Sequence, residues 1–115
     1  MTLIVYGIKN CDTCRKALKW LEAESIEHEY HDFRAHGLSD RELVRWVDAQ
    51  GWETVLNRRG TTWRKLPDAD KTAVGRDRAV ALMLENPTLI KRPVFDDGER
   101  VFVGFDDAVR EALAG

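Results

Sequence analysis

Short apolar runs and one amphipathic segment alternate in the first third of the chain. Residues 3–6, Leu-Ile-Val-Tyr, form an apolar run rich in β-branched residues that ends at Gly7, which predicts a buried strand. Between Cys14 and Leu21 the apolar residues recur at helical spacing with charged residues between them, which predicts an amphipathic helix. Residues 27–33 are predicted to form a second strand, which its two histidines make unusually polar. A strand–helix–strand order implies that these two strands are parallel.

The middle of the chain is predicted to be helical. Ser39 is followed three residues later by Glu42, a capping-box pattern that starts a helix, and Gly51 is expected to end it. The apolar side of this helix carries Leu43, Val44, Trp46 and Val47. Shorter helical pieces are expected at 53–56 and 63–66, on either side of a turn.

The last third of the chain returns to strands after one more helix. That helix is predicted over about 77–85, and an Asn-Pro pair ends it. We expect it to bury Val80, Ala81 and Leu84. Residues 93–95 begin a strand, 96–99 give a hairpin signal and 100–103 form the returning strand. Asp106 is expected to cap a last helix.

The order of these elements predicts an α/β fold. A β-α-β half is followed by a helical insert at about 39–86 and then by a β-β-α half. This order describes a thioredoxin-like four-stranded mixed sheet flanked by helices. The 115 residues are enough for one hydrophobic core and too few for two, so we expect a single domain over 1–115.

Composition and charge narrow the classes of partner. Hydrophobic residues make up 43% of the chain and charged residues 33%, and the formal net charge is -2. Because no global positive field exists, we expect no direct binding to nucleic acid and none to an anionic membrane. The first residues lack the basic region of a signal peptide, and no run approaches a membrane span. We therefore expect a cytoplasmic protein.

Two cysteines, Cys11 and Cys14, carry the chemistry that the sequence suggests. A cysteine attacks as the thiolate, and the first turn of a helix lowers a thiol pKa through its free N–H groups and dipole. Cys11 lies where the loop enters the first predicted helix, with Lys9 and Arg15 nearby in sequence, whereas Asp12 works against the shift. We expect Cys11 to be the exposed nucleophile and Cys14 the more buried resolving thiol.

Two other interpretations of the cysteines stay open. His28, His31 and His36 follow at distances that resemble a zinc finger. In a zinc finger, however, the cysteines lie on a hairpin and the histidines on a helix, which is the reverse of the order predicted here. The second interpretation is inert packing, because free cysteine is often buried.

Four segments carry a resemblance to a known family. They are residues 6–17 (Tyr-Gly-Ile-Lys-Asn-Cys-Asp-Thr-Cys-Arg-Lys-Ala), 57–63 (Asn-Arg-Arg-Gly-Thr-Thr-Trp), 89–94 (Leu-Ile-Lys-Arg-Pro-Val) and 101–105 (Val-Phe-Val-Gly-Phe). Together they resemble the arsenate reductase (ArsC) and Spx superfamily of thioredoxin-fold proteins, and most closely its YffB-type branch. The resemblance spans nearly the whole chain.

The resemblance implies roles for particular residues. Cys11 matches the catalytic cysteine of the arsenate reductases, and Cys14 stands where they have a serine. Arg92 matches an arginine that binds the anionic substrate, and Pro93 matches the cis-proline that faces the cysteine in thioredoxin-like folds. The residues expected to bind substrate or glutathione are Arg92, Arg59, Arg58, Pro93, Lys9, Asn10 and Arg15.

The sequence also departs from the arsenate reductases. These enzymes use three arginines, of which only Arg92 maps cleanly here. Asn57 stands opposite the first and Val103 opposite the third, although Arg58 or Arg59 could take the first role. With fewer guanidinium groups to hold an oxyanion, arsenate reduction is less favoured than reduction of a disulfide.

The resemblance therefore implies a glutathione-dependent thiol–disulfide oxidoreductase. We expect no bound cofactor and no metal, with glutathione as co-substrate and a small or protein disulfide as substrate. Glutaredoxin is a further expected partner. The first alternative is a redox-sensing, Spx-like transcription regulator that binds RNA polymerase, and the second is arsenate reductase itself.

Overall fold

A four-stranded sheet forms the centre of the fold, in a computed structural model that describes residues 2–72 and 74–115. The strands are β1 (Leu3–Gly7), β2 (His28–Asp32), β3 (Val94–Asp96) and β4 (Val101–Val103). Their order in the sheet is β2-β1-β3-β4. β1 pairs in parallel with β2 and antiparallel with β3, and β3 and β4 form the terminal hairpin. The predicted four-stranded mixed sheet is confirmed.

One helix connects β1 to β2, several lie between β2 and β3, and one follows β4. They are α1 (Asp12–Ala23), α2 (Phe33–His36), α3 (Asp40–Gln50), α4 (Trp52–Val55), α5 (Thr61–Lys65), α6 (Asp68–Lys71), α7 (Arg76–Glu85) and α8 (Asp107–Ala114). A 3-10 turn covers Pro87–Leu89. The short helices expected at 53–56 and 63–66 correspond to α4 and α5, whereas α2 and α6, of four residues each, were not predicted. Within the described ranges no helix has the length and hydrophobicity that a membrane crossing needs.

The chain divides into two compact units. The first unit comprises Met1–Gly37 and Arg92–Gly115, and the second comprises Leu38–Lys91. The second unit contains the whole of the predicted insert, 39–86. The core of the first unit lies where α1 and α8 pack on one face of the sheet, and its buried residues are Leu3, Val5, Ala17, Leu21, Phe95 and Val109. This arrangement of sheet and helices is the thioredoxin-like fold that the element order predicts.

The polar character of β2 follows from its position at the edge of the sheet. Among residues 2–72 and 74–115, β1 is the one strand that pairs with β2, so β2 has a neighbouring strand on one side only. Glu29 and Tyr30 are exposed, and His28, His31 and Asp32 are half-buried. An edge strand of this composition discourages pairing with other chains.

Helix caps lie where the sequence predicts them. The Ser39 hydroxyl accepts a hydrogen bond from the Glu42 N–H (3.1 Å) at the start of α3. α3 ends at Gly51, whose φ of 87° lies in the left-handed region that glycine adopts readily. At the start of α8, the Asp106 carboxylate accepts a hydrogen bond from the Val109 N–H (2.9 Å).

The predicted buried face of α7 is wrong. The buried residues are Ala79, Leu82 and Met83, whereas the expected Val80, Ala81 and Leu84 are half-buried. Apolar residues occupy every position from 79 to 84, so the sequence of this helix does not single out one face. Tertiary packing within the second unit decides which side is buried.

Removing the cap of α8 should destabilise the protein. Asp106→Ala leaves the Val109 N–H without its side-chain acceptor, which we expect to lower the free energy of unfolding by about 1 kcal/mol. Urea unfolding followed by circular dichroism measures this change. Asp106→Asn is the matched control, because its side-chain oxygen still accepts the bond, and it should lose much less. Equal losses in both variants would show that capping is not the cause.

Candidate active site

Cys11 occupies the position that caps the N-terminus of α1. β1 ends at Gly7, α1 begins at Asp12, and Cys11 has the extended backbone that a capping residue requires (φ −105°, ψ 116°). A capping residue normally offers a side-chain oxygen to the free N–H groups of the first turn, and Cys11 has a sulfur in that place. A half-buried sulfur thus lies at the positive end of the helix.

The surroundings of Cys11 favour its thiolate. Burial raises the pKa of this thiol, but hydrogen bonds from the Cys14 backbone N–H and the Cys14 side chain lower it. The Arg92 guanidinium lowers it further, through a hydrogen bond to the sulfur and through its charge. The net result is a Cys11 pKa below its ordinary value. At a given pH, Cys11 therefore holds more of the reactive thiolate than an ordinary cysteine does.

Cys14 has the opposite tendency. Its side chain is only 1% exposed, and burial together with the hydrogen bond to Cys11 and the charge of Cys11 raises its pKa to about 12. The Ile8 backbone N–H donates a hydrogen bond to the Cys14 sulfur, and this bond and the charge of Arg92 oppose the rise. The two thiols thus lie in unlike surroundings, and Cys11 is the one that ionises more readily.

Arg92 enters the site from the segment that precedes β3. The peptide bond between Arg92 and Pro93 is cis, as the family resemblance implies. Pro93 is buried, and its carbonyl accepts a hydrogen bond from the Gly104 N–H (2.8 Å) just after β4. The structure brings Arg92 of the terminal half together with Cys11 and Cys14 of the first half, within one unit, and Pro93 follows Arg92 in the chain.

Gly7 provides the space that the Cys14 sulfur occupies. A Cβ added at Gly7 would lie 2.6 Å from Cys14 Sγ and 3.0 Å from the Tyr30 hydroxyl. The first distance is shorter than real Cβ contacts, so the Cys14 sulfur would have to move to make room for a side chain at position 7. In the sequence, Gly7 marks only the end of a strand, and its role against Cys14 was not predicted.

Two further residues of the site, both on β2, were not predicted. The Tyr30 hydroxyl donates a hydrogen bond to the Ile8 carbonyl (2.8 Å). The Asp32 carboxylate accepts a hydrogen bond from the Lys9 N–H (3.0 Å) and also caps α2. Burial raises the pKa of Asp32, but its backbone hydrogen bonds lower it below the ordinary value. A tyrosine and an aspartate in an otherwise polar segment give no sequence signal for this role.

Three residues close to Cys11 in sequence, which were predicted to bind substrate or glutathione, are exposed on the surface of the protein. Lys9 and Asn10 are exposed, and Asn10 has a φ of 65°, which asparagine tolerates better than most residues. Arg15 is exposed and forms an ion pair with Asp12. Arg15 and Asp12 thus offset each other beside Cys11.

Arg58 and Arg59, also predicted to bind substrate, belong to the second unit. The Arg58 guanidinium lies 5.7 Å from the centre of the Trp52 ring, a cation–π contact. The Arg59 N–H donates to the Asn57 side chain (3.0 Å). Both arginines line an open cavity of about 420 Å³ with Glu53, Thr54, Leu56, Asn57 and Lys91. Their part in binding stays a prediction.

The zinc and packing interpretations find little support. In residues 2–72 and 74–115, no group of three His, Cys, Asp or Glu side chains is arranged to hold a metal ion. The His28 ring contacts the Ile26 carbonyl (2.8 Å), and the His31 ring contacts the Gly37 carbonyl (2.9 Å). Cys11 keeps part of its surface in solvent, so inert packing does not describe it.

The protein is a thioredoxin-like α/β protein. This class is defined by the order of the strands, by the helix that follows the first strand and by the pair of thiols at the start of that helix. Comparison with known proteins then specifies the family. The sequence profile of the ArsC family matches residues 6–113, and the chain belongs to that family. Its fold is that of the arsenate reductase-like thiol oxidoreductases.

Three relatives illustrate the range of this family. The structure of a YffB protein is 44% identical, with a TM-score of 0.93, and the match covers 99% of this chain and 100% of that one. An arsenate reductase-related protein from Brucella melitensis is also 44% identical, with a TM-score of 0.79 and coverage of 97% and 93%. The global transcriptional regulator Spx of Streptococcus mutans is 30% identical over 107 residues, 90% of this chain and 77% of Spx.

Replacing Arg92 should raise the pKa of Cys11. Arg92→Gln removes a charge and a hydrogen bond that both favour the thiolate, so Cys11 should react only at higher pH than in the wild type. The measurement is the pH dependence of Cys11 alkylation by iodoacetamide, with the modified residue identified by mass spectrometry. Arg100→Gln is the matched control, since Arg100 pairs with Asp97 in the terminal hairpin and its loss should leave the profile nearly unchanged. A profile that moves as far in the control as in Arg92→Gln would contradict this assignment.

Adding a methyl group at Gly7 should disturb the packing of Cys14. Gly7→Ala forces its Cβ against Cys14 Sγ, and we expect a loss of about 1–3 kcal/mol in the free energy of unfolding. Gly75→Ala is the control, because a Cβ there meets nothing within 4 Å. Combining Gly7→Ala with Cys14→Ala removes the sulfur, so the double variant should lose less than the sum of the two single losses. Strict additivity would argue against the contact.

Proposed function

We propose that this protein is a thiol–disulfide oxidoreductase that uses glutathione, with Cys11 as nucleophile and Cys14 as resolving thiol. The observation that carries the proposal is the opposite displacement of the two thiol pKa values at the start of α1, beside Arg92. Membership of the ArsC family and the arsenate reductase-like fold support oxidoreductase chemistry. The two-thiol mechanism and glutathione are the proposed parts.

In the first step the Cys11 thiolate attacks one sulfur of a substrate disulfide. A bond forms between the Cys11 sulfur and that sulfur, the substrate S–S bond breaks, and the other half leaves as a thiolate that takes a proton from water. The Cys14 N–H and Arg92 stabilise the attacking thiolate before the reaction. The product is a mixed disulfide on Cys11.

In the second step Cys14 resolves the mixed disulfide. Formation of that disulfide removes the charge from Cys11, and with it the charge repulsion that helps to raise the pKa of Cys14. Cys14 gives its proton to solvent and attacks the Cys11 sulfur, and the remaining substrate thiolate leaves. The substrate has then gained two electrons and the protein holds a Cys11–Cys14 disulfide.

Glutathione returns the protein to its reduced state. One glutathione thiolate attacks the protein disulfide, and a second attacks the resulting mixed disulfide and leaves as oxidised glutathione. Two glutathione molecules therefore supply the two electrons that the substrate receives. Arg92 is suited to hold a glutathione carboxylate, because guanidinium groups bind carboxylates through paired hydrogen bonds.

Reduction of arsenate is less well supported. Glutathione-coupled arsenate reductases resemble this chain but use three arginines. Val103, opposite the third of these, lies in β4 with 7% of its surface exposed and cannot bind an anion. Asn57, opposite the first, uses its side-chain oxygen to accept the Arg59 N–H. Turnover of arsenate with glutathione and glutaredoxin tests this alternative directly.

A redox switch is the second candidate function. The match to Spx over 90% of this chain favours it, because the same pair of thiols could report oxidation instead of catalysing exchange. The partner would be RNA polymerase. Capture of polymerase by the protein, compared under oxidising and reducing conditions, tests the switch, and redox-dependent capture would favour it.

Variants of the two cysteines test the proposed enzyme. We expect wild-type protein to reduce bis(2-hydroxyethyl) disulfide with glutathione, measured as NADPH oxidation through coupled glutathione reductase. Cys11→Ser should fall to background because it has no nucleophile, and Cys14→Ser should lose the two-thiol route. Full activity in Cys14→Ser would refute only the resolving role, whereas an ordinary Cys11 pKa and no wild-type turnover would refute the enzyme.

A further inference from the structure

Tyr30 reaches from the edge strand to the loop that leads to the cysteines. It lies in the middle of β2, paired in register with Val5 of β1, and its ring is 38% exposed. Its hydroxyl donates a hydrogen bond to the Ile8 carbonyl across 22 residues of sequence (2.8 Å). The hydroxyl therefore restrains the backbone of the loop immediately after β1.

The Tyr30 hydroxyl also lies close to the resolving thiol. Cys14 Sγ and the Tyr30 hydroxyl both lie within 3.0 Å of the position that a Cβ on Gly7 would take. The two groups therefore occupy the same side of Gly7. The aromatic ring contributes to this packing as well, because Tyr30 Cε1 lies 3.2 Å from the same point.

Ile8 connects Tyr30 to Cys14 through its two backbone groups. The Ile8 carbonyl accepts the hydrogen bond from Tyr30, and the Ile8 N–H donates to the Cys14 sulfur. If the Ile8 backbone rotated, the N–H would point away from the sulfur. The Asp32 carboxylate accepts a hydrogen bond from the Lys9 N–H, which belongs to the same planar peptide group as the Ile8 carbonyl, so Tyr30 and Asp32 hold this group from its two ends.

We propose that Tyr30 is a positioning residue for Cys14, whose hydroxyl holds Ile8 so that the Ile8 N–H stays directed at the Cys14 sulfur during attack on the Cys11 mixed disulfide. This role rests on the proposed function. In that attack the bond between Cys14 and Cys11 forms, the bond between Cys11 and the substrate breaks, and the substrate leaves as a thiolate. The proton of Cys14 passes to solvent.

The charges around the two groups are consistent with this role. Burial and the charges of Cys14, Asp32 and Cys11 raise the pKa of Tyr30, and only Arg92 opposes them, so the hydroxyl keeps its proton as a donor. Cys14 itself faces Cys11, Arg92 and the Ile8 N–H. Once Cys11 is in a mixed disulfide, the Ile8 N–H and Arg92 remain as the groups that stabilise the Cys14 thiolate.

A stopped-flow experiment with 5,5′-dithiobis(2-nitrobenzoate) separates the two thiol steps. The reduced protein should release one equivalent of coloured thiolate when Cys11 attacks and a second when Cys14 resolves. In Tyr30→Phe, which keeps the ring, we expect an unchanged first phase and a second phase about three- to tenfold slower, the usual effect of one hydrogen bond. The second phase should also shift to higher pH, because the Cys14 thiolate loses support.

Glu29→Gln is the control on the same strand. Glu29 is exposed, and within residues 2–72 and 74–115 its side chain makes no hydrogen bond or ion pair with the loop after β1. Its two phases should match the wild type. If the wild type shows two phases and the second phase is unaltered in Tyr30→Phe, the role of Tyr30 is overturned and the proposed function is not. Equal slowing of both phases in Tyr30→Phe would have the same meaning. A wild-type trace that stops after one equivalent would overturn the resolving step and, with it, this role.

Discussion

The close packing of the Cys14 sulfur against Gly7 sets the geometry on which the site depends. A Cβ at Gly7 would lie 2.6 Å from this sulfur, so the first turn of α1 can approach the end of β1 only because position 7 has no side chain. The same approach leaves Cys14 1% exposed. Cys11 lies three residues earlier at the helix start, where part of its surface reaches solvent. One backbone contact thereby produces two thiols in unlike surroundings.

The electrostatic difference between the thiols follows from this geometry and from one cation. Arg92 acts on both sulfurs, yet only Cys11 has a lowered pKa, because burial dominates at Cys14. Arg15 is nearer in sequence but pairs with Asp12 on the exposed side of α1. The chain as a whole carries a net charge of -2, so the thiolate is favoured by local groups and not by a general positive field.

The elements that the sequence predicts well are those with a strong local pattern. The β1 run, the amphipathic α1, and the caps at Ser39 and Asp106 all have local physical causes, and the structure has each of them. The buried face of α7 could not be predicted, because the apolar residues of this helix are distributed over all of its sides. The two cysteines could be predicted as reactive groups from their spacing and position. Arg92 could be predicted only through the family resemblance. The packing of Gly7 against Cys14 could not be predicted, because it depends on the distance between Gly7 and a sulfur on the following helix.

The polar strand β2 gains a physical explanation from the loop that it supports. As an edge strand it can carry polar side chains without burying them, and two of them hold the segment between β1 and α1. Tyr30 holds the Ile8 carbonyl and Asp32 holds the Lys9 N–H. Both bonds are made to the one planar peptide group that joins Ile8 to Lys9, so β2 fixes the orientation of that group from its two ends. The loop that leads to α1 is thereby held against β2, with the Cys11 sulfur partly in solvent and the Cys14 sulfur buried.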